Sequence, residues 1–338
     1  MIFDQNNIIH RFSYGLADIK KMIEPGEPTV YNWYSVTKTF TAIAILQLAE
    51  KNLLNIDHPV IEYLPGFPYS NEITIRQLLT HTAGIPNPVP LSWIHLAVEH
   101  DGYDRNEFFG RIITKNRRTR SKPNEKFCYS NLGYILLGQV IEQVSGSGYE
   151  DNIRNNLVQR LGILPEDLDF VTSVNAIKAN GYHRKFSPSD LILGMFIDKS
   201  KYMEAPQGHW RPFKPFYVNG TPYGGLNGKT GAFVKYIREL LKPGCCLLSD
   251  ERLNSMFTEN RTNNGKPTGM CLAWFTGQLH GNTYFTHAGG GGGYYCELRI
   301  YRDLGIGSVM MMNRTGLRDE RFLDKLDGCL IQEIASSK

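Results

Sequence analysis

The sequence has no apolar run long enough to span a bilayer, no Cys-x-x-Cys pair and no His/Cys cluster at zinc spacing. Its six cysteines, Cys128, Cys245, Cys246, Cys271, Cys296 and Cys329, therefore read as buried thiols in a reducing compartment. They do not suggest a metal cage or a disulfide framework. A strong excess of one charge is also missing. The formal net charge of +4 is too small to argue for a nucleic-acid partner. One basic run, residues 115–122 (KNRRTRSK), reads as a solvated loop, or as a surface that attracts anionic substrates or lipid head groups. The opening MIFDQNNIIHR lacks the basic-then-apolar form of a secretory leader. The expected compartment is the cytoplasm as the sequence stands, or the periplasm or exterior if a leader has been removed. There is no internal repeat and no low-complexity segment. At 338 residues the chain can bury a large core, in one domain or two interleaved lobes.

Against this background one stretch stands out: Tyr34-Ser35-Val36-Thr37-Lys38, at the mouth of an apolar segment. A serine and a lysine three apart on a helix share one face, one turn from each other. A serine hydroxyl is a weak nucleophile and needs a neighbouring base. Lys38 can serve if it is desolvated enough to titrate low. The segment that follows, TFTAIAILQLAEK from Thr39 to Lys51, is apolar nearly all round, which predicts a helix buried on most sides. If Ser35 opens that helix, its own N–H is an unpaired donor available to an oxyanion.

The rest of the chain is read in order. Met1–Phe3, a turn at Asp4-Gln5-Asn6-Asn7 and Ile8–Tyr14 form a hairpin. Residues 73–84, ending in Leu79-Thr80-His81-Thr82-Ala83-Gly84, predict a short capped helix stopped at glycine, with His81 a satisfied structural histidine. Residues 85–122 predict an irregular flap. Tyr129-Ser130-Asn131 opens a second apolar helix, Leu132–Val144, with Ser130 and Asn131 as capping residues and Tyr129 held clear of the helix. Helices are predicted near Ala232–Leu241 and Asp250–Phe257. Four antiparallel strands follow, Met270–Thr276, Asn282–His287, Tyr294–Tyr301 and Gly305–Met312, and an amphipathic helix over 318–335. Strands at both ends and helices between imply one sheet shared by the termini, with a helical lobe inserted. The expected division is a sheet lobe of 1–75 and 220–338, and a mostly helical lobe with the flap, 76–219.

Three elements now stand in sequence: Ser35-x-x-Lys38, Tyr129-x-Asn131 and His287-Ala288-Gly289-Gly290. With their flanks (SVTKTFTA, LLTHTAGIP, YSNLGYILLG, YGGL and HAGG) they resemble the serine hydrolases related to class C β-lactamases, D-alanyl-D-alanine carboxypeptidases, D-aminopeptidases and β-lactamase-fold esterases. The resemblance covers almost the whole chain. It implies an α/β (α+β) fold of the β-lactamase and penicillin-binding-protein type, with the site between the lobes. It also implies roles. Ser35 is the nucleophile that forms an acyl-enzyme. Lys38 and Tyr129 share the base role, the phenol kept partly ionised by the lysine. Asn131 holds the substrate and orients Lys38. His287 lines the opposite wall and hydrogen-bonds Tyr129. Gly289 and Gly290 border the substrate, with the N–H groups of Ser35 and Gly290 forming the oxyanion hole. Such chemistry needs no metal and no cofactor.

A rival for the third element is Lys229-Thr230-Gly231, which spells the lysine motif of many β-lactamases. It lies between YGGL and a helix, so His287 is the expected choice. In relatives that act on carboxylate-bearing lactams or peptides, hydroxyl residues commonly stand where this chain has Ala288 and Gly290. Their absence favours a small neutral ester or amide as substrate. A β-lactam or a D-amino-acid peptide is the alternative, and a catalytically silent penicillin-binding protein the second.

Overall fold

The computed structural model describes residues 1–315 and 322–336 of the chain. The architecture is α+β, built on a six-stranded antiparallel sheet. Its strands are β1 (Ile2–Asp4), β2 (Ile8–His10), β3 (Phe275–Leu279), β4 (Asn282–Gly291), β5 (Tyr294–Tyr301) and β6 (Ile306–Met312), in the spatial order β3-β4-β5-β6-β1-β2. The N-terminal hairpin therefore completes a sheet begun by the C-terminal meander, with Ile2 opposite Ser308.

The sheet is covered on both faces, as the alternation of a strand requires. On β6, Gly307 abuts Ile237 of helix α5 (Thr230–Leu241). The next residue, Ser308, donates to Asp327 of helix α6 (Phe322–Ser336) on the opposite face. Of the helix expected over 318–335, residues 318–321 lie outside the described residues.

Helix α1 (Thr37–Glu50) begins two residues earlier than the apolar pattern suggests, because Thr37 and Lys38 are buried with it. Every residue from Thr37 to Ala49 is buried. The few polar side chains on it find internal partners: Thr41 bonds Tyr149 and the Pro222 carbonyl, and Gln47 donates to the carbonyls of Asn156 and Leu247. Burying hydroxyls and amides without such partners would cost roughly 1–3 kcal/mol each. Trp33 stacks on Phe233 of α5, and Phe40 packs at a tilt against Tyr236, so the nucleophile turn and α5 share one aromatic core.

Helix α2 (Ile75–Leu79) starts at Thr74, whose side chain and that of Gln77 form a capping box. Residues 85–122 are more regular than an irregular flap. Ile94–Leu96 pairs with Phe216–Val218, and Arg105–Lys115 is a helix, α3, capped by Asp104. Phe109 and Ile113, four apart, bury its inner face. The run 115–122 ends α3 and continues as loop, with Arg117, Arg118 and Arg120 exposed. Helix α4 (Asn131–Ser145) is capped by Ser130 and stopped at Gly146, where φ is +67°. Short strands also run through residues 168–218. The expected strand at Met270–Thr276 begins only at Phe275, because Ala273 sits at φ +64° and breaks the extended run.

Candidate active site

Ser35 lies in a single 3-10 turn, Tyr34–Val36, that feeds α1. The residue before it, Tyr34, holds φ +45°, a strained value for a bulky side chain. Its ring is accommodated by the glycine-rich end of β4: a Cβ on Gly291 would stand 2.8 Å from Tyr34 Cε1. The turn thus points Ser35, the one half-buried residue in a buried segment, into the cleft.

Lys38 is fully buried, with Nζ 3.0 Å from Ser35 Oγ and 2.9 Å from the carbonyl of Tyr223, to which it donates. The rings of Tyr129, Tyr134 and Tyr223 surround it at 5.1–5.5 Å. Among the described residues no carboxylate bonds it, and burial drives its pKa well below the usual lysine value. The Tyr129 hydroxyl donates to Ser35 Oγ across 3.0 Å. Burial pushes the Tyr129 pKa up, so the phenol keeps its proton and the expected partial ionisation does not hold. The three groups can form one directional chain. Tyr129 O–H points at Oγ, the serine proton can point at Nζ, and Nζ donates to a carbonyl.

Two further expectations change. Asn131 does not orient Lys38. Its backbone N–H takes the Asn87 side-chain oxygen at 3.0 Å, and its own Oδ1 is buried without a partner. The Tyr223 carbonyl does the orienting instead. His287 does not hydrogen-bond Tyr129. Its Nδ1–H donates to the Ala273 carbonyl at 2.6 Å, which leaves Nε2 a bare, buried acceptor. Burial, followed by the nearby Lys38, lowers the His287 pKa to about 3, so the ring is neutral.

β4 brings its own part of the site. It pairs with β3 only as far as Thr286; from His287 to Gly291 that edge has no neighbouring strand among the described residues. The inner face of this strand end lies against the nucleophile turn: a Cβ on Gly289 would stand 2.8 Å from Ser35 N and closer still to the Trp33 carbonyl. Cys296, opposite Gly289 on β5, donates its S–H to that same carbonyl. His287 and Gly289 face inward, while Ala288 and Gly290 are exposed. A cavity of about 390 Å³ opens beside this edge, lined by Tyr129, Phe275, His287, Ala288, Tyr295 and Glu297 among others. Lys229 is elsewhere. It ends the strand Asn227–Lys229, which pairs with Val30–Asn32, and bonds Asp167 at 2.7 Å. Among the described residues no group of three or more His, Cys, Asp or Glu is placed to hold a metal ion, and no helix is long and apolar enough to cross a membrane.

Sequence reasoning missed two contributors. The Tyr223 carbonyl is a backbone atom, and only the YGGL flank hints at it. His81 was expected to be fully satisfied. Its Nδ1 accepts the Ser130 N–H, but Nε2 is buried without a partner, and the ring lies 4.2 Å from that of Tyr129.

A serine, a buried lysine and a tyrosine within hydrogen-bonding reach, beside a free glycine-rich strand edge, is the arrangement of the serine hydrolases with a β-lactamase fold. The chain belongs to the Beta-lactamase family, whose sequence model matches residues 1–329. Penicillin-binding protein 4* of Bacillus subtilis strain 168 is 26% identical over 316 residues, 88% of this chain and 63% of that protein. The protein flp of Staphylococcus aureus strain N315 is 33% identical over 166 residues, 48% of this chain and 32% of that protein. The chain thus spans less than two thirds of these curated relatives. A solved D-amino acid amidase from Ochrobactrum anthropi SV3, complexed with L-phenylalanine, superposes with a TM-score of 0.77 at 18% identity, covering 99% of this chain and 93% of the other. At that identity the likeness concerns the fold.

Proposed function

We propose that the protein hydrolyses small neutral esters or amides through an acyl-enzyme on Ser35. Lys38, held neutral by burial, takes the Ser35 proton as Oγ attacks the substrate carbonyl. The oxyanion settles between the N–H groups of Ser35 and Gly290. Tyr129 gives its proton to the leaving group and recovers one from the Lys38 ammonium. Water then attacks the acyl-enzyme by the same route in reverse. Asn131, with its free Oδ1, accepts a hydrogen bond from a substrate N–H.

The observation that carries the substrate class is the register of β4 on β5. Ala288 lies directly opposite Glu297. Cross-strand partners stand about 4.5–5.5 Å apart at Cβ. The position therefore lacks a hydroxyl and has a carboxylate as its neighbour. Glu297 accepts from Thr286, Tyr295 and Arg299, and Arg299 also reaches Asp324 and Asp327, so one guanidinium serves three carboxyl groups. A substrate carboxylate placed there would lose its water and meet repulsion. The same acidity favours a second reading, amides of amino acids with a free ammonium group.

The test is a spectrophotometric panel of p-nitrophenyl acetate and butyrate, nitrocefin and a D-amino-acid p-nitroanilide. The expected order places the neutral esters above nitrocefin in kcat/KM, and Ala288→Thr narrows that gap. Nitrocefin turnover above ester turnover would overturn the reading. Anilide turnover above both would select the second.

A further inference from the structure

We infer that His81 is a positioning residue that sets the Tyr129 phenol against Ser35, and that it does so through its Nδ1 atom. This inference rests on the role proposed above for Tyr129. The His81 main-chain carbonyl accepts the Cys128 N–H at 2.6 Å. Its ring Nδ1 accepts the Ser130 N–H at 3.1 Å. Its ring face lies against the Tyr129 ring, with centroids 4.2 Å apart, and against Tyr134 at 5.1 Å. The residue therefore grips Tyr129 from the position before it, the position after it and the side chain itself. Ser130 caps α4 with its hydroxyl, so the same grip ties Tyr129 to the rigid start of that helix.

The geometry also fixes the ring's chemistry. An Nδ1 that accepts a hydrogen bond must be bare, which puts the proton on Nε2. The residue is 2% exposed. Burial, then Lys38 and His287, lower its pKa well below the usual histidine value, so it stays neutral and adds no charge beside the base. A protonated ring would lose the Nδ1 acceptor and release Ser130. His81 further holds φ +56°, a left-handed value that histidine, asparagine and aspartate adopt more readily than most residues.

Two substitutions separate the atoms. In His81→Asn the amide oxygen stands near the Nδ1 position, can still accept the Ser130 N–H, and tolerates the backbone angle. In His81→Gln the polar atoms reach the Nε2 position, and the Nδ1 acceptor is lost. The readouts are Tm, kcat and KM for p-nitrophenyl acetate, and the rate at which a fluorophosphonate probe labels Ser35. The labelling rate does not depend on which natural substrate is correct, so it separates this inference from the substrate reading. Expected are kcat and labelling within about threefold of wild type for His81→Asn, and losses of about 10–100-fold for His81→Gln at similar KM, as for a misplaced catalytic group. Retained activity in His81→Gln, lost activity in His81→Asn, or losses in both that simply follow Tm would overturn the assignment.

Discussion

Replacing Gly289 with alanine tests how tightly the site depends on the contact between β4 and the nucleophile turn. The added methyl carbon would stand 2.8 Å from the backbone nitrogen of Ser35 and nearer still to the Trp33 carbonyl. Neither atom belongs to a side chain that can rotate away. Carbon contacts are comfortable at about 3.5–4.0 Å, so relief requires the strand and the turn to part by about 1 Å. Two costs follow. Forcing a methyl group into a packed site destabilises by typically 1–3 kcal/mol. A 1 Å displacement of the reacting groups can cost about 100-fold in rate, equivalent to about 2.7 kcal/mol of barrier. Gly289 itself has an ordinary extended backbone, so the penalty is contact and not conformation. The assay is ester hydrolysis at saturating substrate alongside a thermal melt. The expected result is a roughly 100-fold loss of kcat, with a Tm fall of several degrees. Wild-type kcat in a stable Gly289→Ala protein would refute the proposed contact and, with it, the placing of the oxyanion donors.

Two further outcomes are expected. Lys229→Ala should change kcat/KM by less than about tenfold, since its ammonium serves Asp167, whereas His287→Ala should cost more; a steady-state comparison in which Lys229→Ala is the worse variant would restore the lysine motif to the site. The pH–rate profile should climb as pH rises through the lowered Lys38 pKa, because the amine acts only when neutral, and then level off. His287, lowered to about 3, should contribute no limb near pH 6.5, so a limb there that vanishes in His287→Ala would show that ring to be charged in the working enzyme.

The parts of this site that were legible in the sequence are those whose pattern is local. Ser35 and Lys38 are one helical turn apart, and the all-round apolarity of α1 announces its burial. The Ser130 cap and the apolar run mark α4. The hairpin at the N-terminus and the C-terminal meander carry alternation and turn residues, so the sheet was readable before its strand order. What failed to show depends on atoms or distances without a one-dimensional signal. A backbone carbonyl, that of Tyr223, orients Lys38 from 185 positions away. The second nitrogen of His81 is orphaned only because the fold closes over it. The ionisation of Tyr129 was misjudged because it turns on burial, not on the identity of its neighbour. In residues 85–122, many polar and basic residues masked the Phe109 and Ile113 spacing that builds α3.

The union of the nucleophile turn with β4 has a consequence for how the protein is made. The bond from Cys296 to the Trp33 carbonyl joins residues 263 positions apart. Ser35 therefore leaves the ribosome well before the strand that completes its surroundings. At about 5–20 residues per second, the interval is on the order of tens of seconds. Throughout that time the apolar α1, the strained Tyr34 and the core face of Trp33 must wait without their final cover. A chain truncated before β5 would therefore hold every residue of the Ser-Lys-Tyr chain and still lack a formed centre. In this fold the reactive serine gains its full surroundings only after β4 and β5 have been made and the sheet closes over it.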